Sequence, residues 1–124
     1  MEAQPAGLPS VGFQLRHMAG SVDRLLTYAE GRELNARQLQ WLAGEMTAEV
    51  SRGETIAGFE EAMAEGMRRV RALCNLDLEG ERVVGRMRAP SSLGGLLVHV
   101  AEHTARHVGQ AVTTAKVLVA GRGS

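Results

Sequence analysis

Apolar residues along this chain recur every three or four positions, which is the period of amphipathic helices. Ser10 is placed to cap a first helix from about Val11 to Glu30. Its apolar stripe is Val11, Leu15, Met18, Val22, Leu25 and Ala29. Gly31 is well placed to stop it. Asn35 followed by Gln38 makes a capping box for a short helix, expected over 35–49 and carrying Leu39, Trp41, Leu42 and Met46. Ser51 and Glu54 repeat the device before a third helix over about 54–75. Ile56, Phe59, Met63, Met67, Val70 and Leu73 form that stripe. Ahead of all three, residues 1–9 read as an irregular arm, because Pro5, Gly7 and Pro9 block regular structure.

The pattern breaks over residues 76–90. Gly80, Gly85 and Pro90 make this stretch a connection, with an extended piece at Val83 and Val84. Ser91 or Ser92 then opens the last helix, which is expected to run to about Val119. Its core face is Leu93, Leu97, Val100, Thr104, Val108, Ala111, Ala115 and Leu118, and the alternating steps of three and four mark bundle packing. The expectation is an all-α chain forming one domain over residues 1–124.

Composition agrees with that picture and narrows the function. The chain has 124 residues, 44% of them apolar, which suits one domain with one core. Phe13, Tyr28, Trp41 and Phe59 are the only aromatic residues, so Leu, Val, Ala and Met must build the core. Fourteen basic residues cancel fourteen acidic ones, so no nucleic-acid or anionic-membrane partner is expected. Arginines cluster between Arg68 and Arg88, but Glu79 and Glu81 interrupt them and no aromatics interleave them. A solvated face is the better reading.

Cys74 is the only cysteine, which excludes disulfides and CxxC sites; it is expected to be a small core residue. The first residues lack the basic and apolar regions of a signal peptide, and no run approaches the ~18 apolar residues of a membrane span. A cytoplasmic location is expected.

The histidines carry the candidate chemistry. His99, His103 and His107 sit four residues apart on the last helix, and His17 lies on the first. A step of four turns a helix by about 400°, so successive members are offset by about 40°. With the apolar face placed from its expected core residues, His107 falls inside the stripe, His103 on its flank and His99 nearer solvent. His103 and His107 are therefore the pair pointing into the bundle. Two imidazoles so spaced can hold one metal ion, with a third ligand from another element. Burying both without a shared partner costs a few kcal/mol, although hydrogen-bonded core histidines remain the alternative. His17 is the only histidine left to complete a site, and it sits at the edge of its own helix's stripe.

Other motifs fall away. His99-Val-Ala-Glu102-His103 matches the inverted zinc-protease signature, but no acidic residue follows His103 to serve as the further ligand. Glu102 also points away from the core. Neither a GxGxxG after a strand nor a GxxxxGK[ST] occurs, so no nucleotide cradle is visible. Ser91 and Ser92 lack a nucleophile-elbow context and read as helix caps.

Two stretches resemble a known family. Leu96-Leu-Val-His-Val-Ala-Glu-His-Thr-Ala-Arg-His-Val-Gly-Gln110 is similar to the last-helix signature of the DinB/YfiT-like superfamily, where a His-x3-His pair precedes Gly-Gln. Val11-Gly-Phe-Gln-Leu-Arg-His-Met-Ala-Gly-Ser-Val-Asp-Arg24 resembles the helix that supplies that family's first histidine ligand. The resemblance implies an up-down four-helix bundle holding a divalent metal, zinc or nickel above all. Carried onto this sequence, the ligands would be His17, His103 and His107.

The resemblance further implies a metal-dependent enzyme, either a thiol-dependent S-transferase or isomerase or a hydrolase. Its substrate would be a small molecule such as a low-molecular-weight thiol. A non-catalytic metal-binding or structural dimer is the alternative. Family members usually carry a full helix before the one with the first ligand, whereas only the arm precedes it here. The first helix is thus expected to be short or missing; either the 35–49 helix or a second chain covers the apolar groove, and a homodimer is the expectation. His99 is expected to orient a ligand, to shuttle a proton, or to be simply a partly exposed polar residue. Gln110 would orient substrate or bond a neighbouring helix, and Gly20 and Gly109 would permit close helix approach.

Overall fold

The computed structural model describes residues 1–46 and 50–122, and everything below refers to these. Four helices form, α1 (Val11–Ala29), α2 (Ala36–Gly44), α3 (Arg52–Leu73) and α4 (Leu93–Arg122). A two-stranded hairpin, β1 (Glu81–Val84) and β2 (Ala89–Ser92), joins α3 to α4. The arm contains only a 3-10 turn at Pro5–Gly7. The all-helical expectation holds, with this small hairpin as its one addition. Among the described residues no helix is long and apolar enough to cross a membrane.

Local chemistry sets the helix ends. Ser10 Oγ accepts from Phe13 N at the start of α1. At its other end Gly31 adopts φ +80°, and the Arg32 and Gly31 amides donate to the Thr27 and Tyr28 carbonyls. This is a Schellman stop, which a residue with a Cβ makes only under strain. The Asn35–Gln38 capping box is complete in both directions. Ser51 caps α3 through Glu54 N, so that helix begins two residues earlier than expected. Of the two candidate serines ahead of α4, Ser92 accepts from Gly95 N, while Ser91 pairs with Arg82 in the hairpin.

Strand β2 was not anticipated, because Pro90 argues against a strand. In a two-stranded ribbon each strand is an edge, and Pro90 opposite Val83 needs no second partner. The short helix stops at Gly44 rather than continuing to 49, and residues 47–49 lie outside the described residues.

α2 runs back along α1, with Gln38 beside Asp23 and Thr27 and Glu45 beside Arg16 and His17. α3 then packs along α1, and α4 lies antiparallel to α1, with Gln110 against Gln14 and Thr114 against Pro9. α3 and α4 scarcely touch each other; both rest on α1. The core joins Val22, Leu26 and Ala29 of α1 to Leu73, Leu93, Leu96 and Val100.

This arrangement corrects several expected stripes. The buried face of α4 runs through Leu93, Leu96, Val100, Ala111 and Thr114, while Val108 is 42% exposed. Relative to expectation the face is rotated by about 45° towards His103 and His107. α4 has one helical neighbour, so it buries one narrow face. On α3, Met67 is 56% exposed and Cys74 is exposed as well, because their side of the helix has no covering element. Leu42 and Met46 also face outward, Trp41 is half-exposed, and α2 is attached by polar contacts instead. Gln38 donates to Asp23 and Thr27, and Trp41 Nε1 donates to the Arg16 carbonyl.

The arginine run is not a uniformly solvated face either. Arg69 is largely buried between Asp23 and Glu30, whose carboxyl it holds below the ordinary range, and Arg82 donates to the Ala29 carbonyl. Arg68 and Arg88 do lie at the surface, paired with Glu65 and Glu33.

These burials predict unequal costs for two residues from expected apolar stripes or their immediate neighbours. Leu26→Ala, at a fully buried position, should lower unfolding free energy by about 2–5 kcal/mol in urea titrations. Met67→Ala should change it by less than about 0.5 kcal/mol. Equal effects would contradict the packing described.

Candidate metal centre

α1 approaches α4 over its first half with polar side chains. Gln14 and Arg16 are buried and His17 is half-buried, an unusual density of polar groups between helices. The His17, His103 and His107 rings gather there. Ring centroids are 5.3 Å apart for His17 and His103, 4.5 Å for His17 and His107, and 4.4 Å for His103 and His107. One nitrogen from each lies within 4.8 Å of the others. The three expected site residues therefore come together. His17 is no edge residue, because α1 is covered on most of its sides and the ring's side faces α4.

Each ring is held differently. His17 Nδ1 donates to Glu45 Oε2 at 2.9 Å, which leaves Nε2 as the ring nitrogen with a lone pair, 3.4 Å from Ser21 Oγ. His107 Nδ1 donates to Gln14 Oε1 at 2.6 Å, and Gln14 Nε2 donates to Gln110 Oε1 at 3.0 Å. Gln110 thus bonds the neighbouring helix, one of its two expected roles. His103 Nδ1 is buried with no hydrogen-bond partner. A buried imidazole nitrogen without a partner is costly unless a ligand meets it. The donor set fits a borderline divalent ion.

Electrostatics point the same way. Burial first, then the neighbouring His107 and His17, pushes the His103 pKa down to about 4. Burial likewise lowers that of His107. Both rings are thereby kept neutral, the form that ligates metals.

His99 is exposed, with its ring 5.7 Å from that of His103, and stands outside the cluster. Glu102 is exposed, as the rejection of the protease signature requires. Gly109 has open space where a Cβ would lie, so close approach does not explain it. At Gly20 a Cβ would fall 2.4 Å from Glu45 Oε1, so there the approach is real.

Sequence reasoning missed Glu45 and Gln14. Glu45 is 3% exposed and also accepts from Arg24 Nη1 at 2.6 Å, while its carbonyl accepts from Arg16 Nε at 3.0 Å. A signal for it did exist. Arg16, Gly20 and Arg24 fall one turn apart on one face of α1, a cationic stripe with a gap at its centre. Gln14 has no comparable signal.

The DinB superfamily profile matches residues 2–111, most of the chain. The chain belongs to the DinB superfamily. No curated protein and no solved structure gives a match. The helical fold and the three-histidine cluster of this DinB chain are compatible with a divalent metal. A groove of about 680 Å³ between α1, α2 and α3, lined by residues including Asp23, Gln38, Trp41 and Arg69, contains none of the histidines. Those four residues are engaged in the contacts that attach α2 and α3 to α1.

The lowered histidine pKa values set a pH dependence for the metal-free protein. An unfolded histidine titrates near 6.5 and folded His103 at about 4, so the unfolded state binds more protons between them. Stability is full above about pH 6.5 and falls as pH drops towards 4. Melting curves with chelator present should show this decline, and His103→Leu should flatten it. A decline equally steep in the variant would remove His103 as its source.

Proposed function

We propose that this DinB chain is a metal-dependent enzyme in which His17, His103 and His107 hold one divalent ion, zinc or nickel, between α1 and α4. The observation that carries the reading is the convergence of three imidazoles from two helices. Two have Nδ1 occupied by Glu45 and Gln14, and the third has a buried nitrogen without a partner. The substrate is a small molecule, a low-molecular-weight thiol or a hydrolysable compound, and the reaction is S-transfer, isomerisation or hydrolysis. The bound ion would supply a Lewis acid with coordination positions open to that substrate.

The chain's own residues prepare the site. Glu45 and Gln14 orient the His17 and His107 rings, and Phe13 stacks on His17 with centroids 5.3 Å apart, excluding water from one face. The partial exposure of all three histidines leaves a path for a small substrate. His99, exposed beside His103, is the base positioned to exchange a proton with solvent. The reading includes a homodimer that covers the uncovered side of α3 and α4, supported by exposed Met67, Val108 and Val112.

Elemental analysis of protein purified without chelator or His-tag tests the metal. Wild type should carry about one ion per chain, and a His103→Ala/His107→Ala variant none. His17→Ala should fold nearly normally and lose turnover in thiol-transfer or hydrolase screens. No metal in wild type, even after incubation with zinc and nickel, sinks the enzyme reading. A His17→Ala protein that is destabilised with turnover unaffected points to a non-catalytic dimer.

A further inference from the structure

Glu45 comes from the end of α2, yet both carboxylate oxygens are committed inside the bundle. Oε1 accepts from Arg24 Nη1 at 2.6 Å and Oε2 from His17 Nδ1 at 2.9 Å. Its backbone carbonyl accepts from Arg16 Nε at 3.0 Å, which fixes the chain at that point, and Arg16 is itself braced by Glu2. Three polar groups thus crowd over Gly20, where a Cβ would fall 2.4 Å from Glu45 Oε1, 2.5 Å from Trp41 Nε1 and 2.6 Å from Arg24 Nη1.

A carboxylate can only accept, so the hydrogen between Glu45 and His17 sits on Nδ1. The far side of the ring agrees. Ser21 Oγ lies 3.4 Å from His17 Nε2 and accepts from Arg24 Nη2 at 3.3 Å, so its hydroxyl hydrogen is free to point at Nε2. Both neighbours specify the same tautomer, with a proton on Nδ1 and a lone pair on Nε2 that Ser21 engages until a ligand replaces it.

We infer that Glu45 is a positioning residue that locks His17 in its Nδ1–H tautomer, with Gly20 as the clearance that lets the carboxylate in and Arg24 as the clamp on its second oxygen. The inference rests on the metal reading for its purpose, because only the lone pair on Nε2 can ligate. The tautomer itself exists with or without an ion.

Replacing the carboxylate by an amide separates the two. Arg24 can only donate, so in Glu45→Gln the amide oxygen turns to Arg24 and the NH2 faces His17 Nδ1. That donor needs a lone pair on Nδ1, which moves the proton to Nε2. Gly20→Ala reaches the same end without altering a polar group, since the new methyl displaces the carboxylate. Alanine is also the better helix former, so α1 is retained.

Long-range proton–nitrogen NMR of the imidazoles in metal-free full-length protein, at about pH 8.5, reads the tautomer directly. Wild type should show His17 protonated at Nδ1, and Glu45→Gln should move the proton towards Nε2. Zinc titration against a chromophoric chelator should show about 10–100-fold weaker binding in Glu45→Gln and a loss of the same sign in Gly20→Ala. A wild-type His17 protonated at Nε2 overturns the inference. So does a pair of variants with unchanged tautomer and unchanged zinc affinity. If Glu45→Gln fails to fold, the wild-type spectrum and Gly20→Ala decide. A wild type that binds no zinc yet keeps the tautomer, and loses it in Glu45→Gln, sinks the metal reading and leaves the role of Glu45 standing.

Discussion

Two long helices, α3 and α4, lie along α1 and barely meet each other, so α1 must satisfy neighbours on nearly every side. It does so by dividing its length. From Val22 onward it presents Val22, Leu26 and Ala29 to an apolar core shared with Leu73, Leu93, Leu96 and Val100. Over its first half it buries Gln14 and Arg16 and half-buries His17. The apolar half supplies the hydrophobic stabilisation, and the polar half is where chemistry can be placed without losing the fold.

Polar groups between helices are tolerated only when partnered, because desolvation without a hydrogen bond costs more than packing returns. The polar half of α1 meets that demand with groups brought from elsewhere. Glu2 comes from the arm, Glu45 from the end of α2, and Gln110 and His107 from α4. Arg69 plays the same role further along, reaching from α3 to Asp23 and Glu30. The neutral overall charge is thus partly an internal pairing of ions across elements. Such pairs are weak evidence for stability, but they fix geometry closely. His103 Nδ1 stands out against this background as a buried nitrogen in the same region that no residue satisfies.

Much of the local structure was legible because it depends on neighbours in sequence. Ser10, the Asn35–Gln38 pair, Ser51 and Gly31 act within one turn of themselves, and helix ends follow from them. His103 and His107 were readable as an inward pair for the same reason, since a four-residue step fixes their relative direction. Stripes were less legible. The sequence marks which residues on α3 and α4 are apolar, but Met67, Cys74 and Val108 are exposed because no element covers their side.

The sequence alone therefore determined the helices, their caps and the two histidines of α4 that share a face, all consequences of backbone periodicity and short-range hydrogen bonding. Only the tertiary structure decided that α1 is the shared support, that a hairpin with Pro90 at its edge leads into α4, and that His17 faces the pair. It alone brought Glu45 and Gln14 to the Nδ1 atoms of His17 and His107. Those contacts span 28 and 93 positions of chain. No local propensity encodes a partner so distant; it is selected when helices pack and a buried donor must find its acceptor.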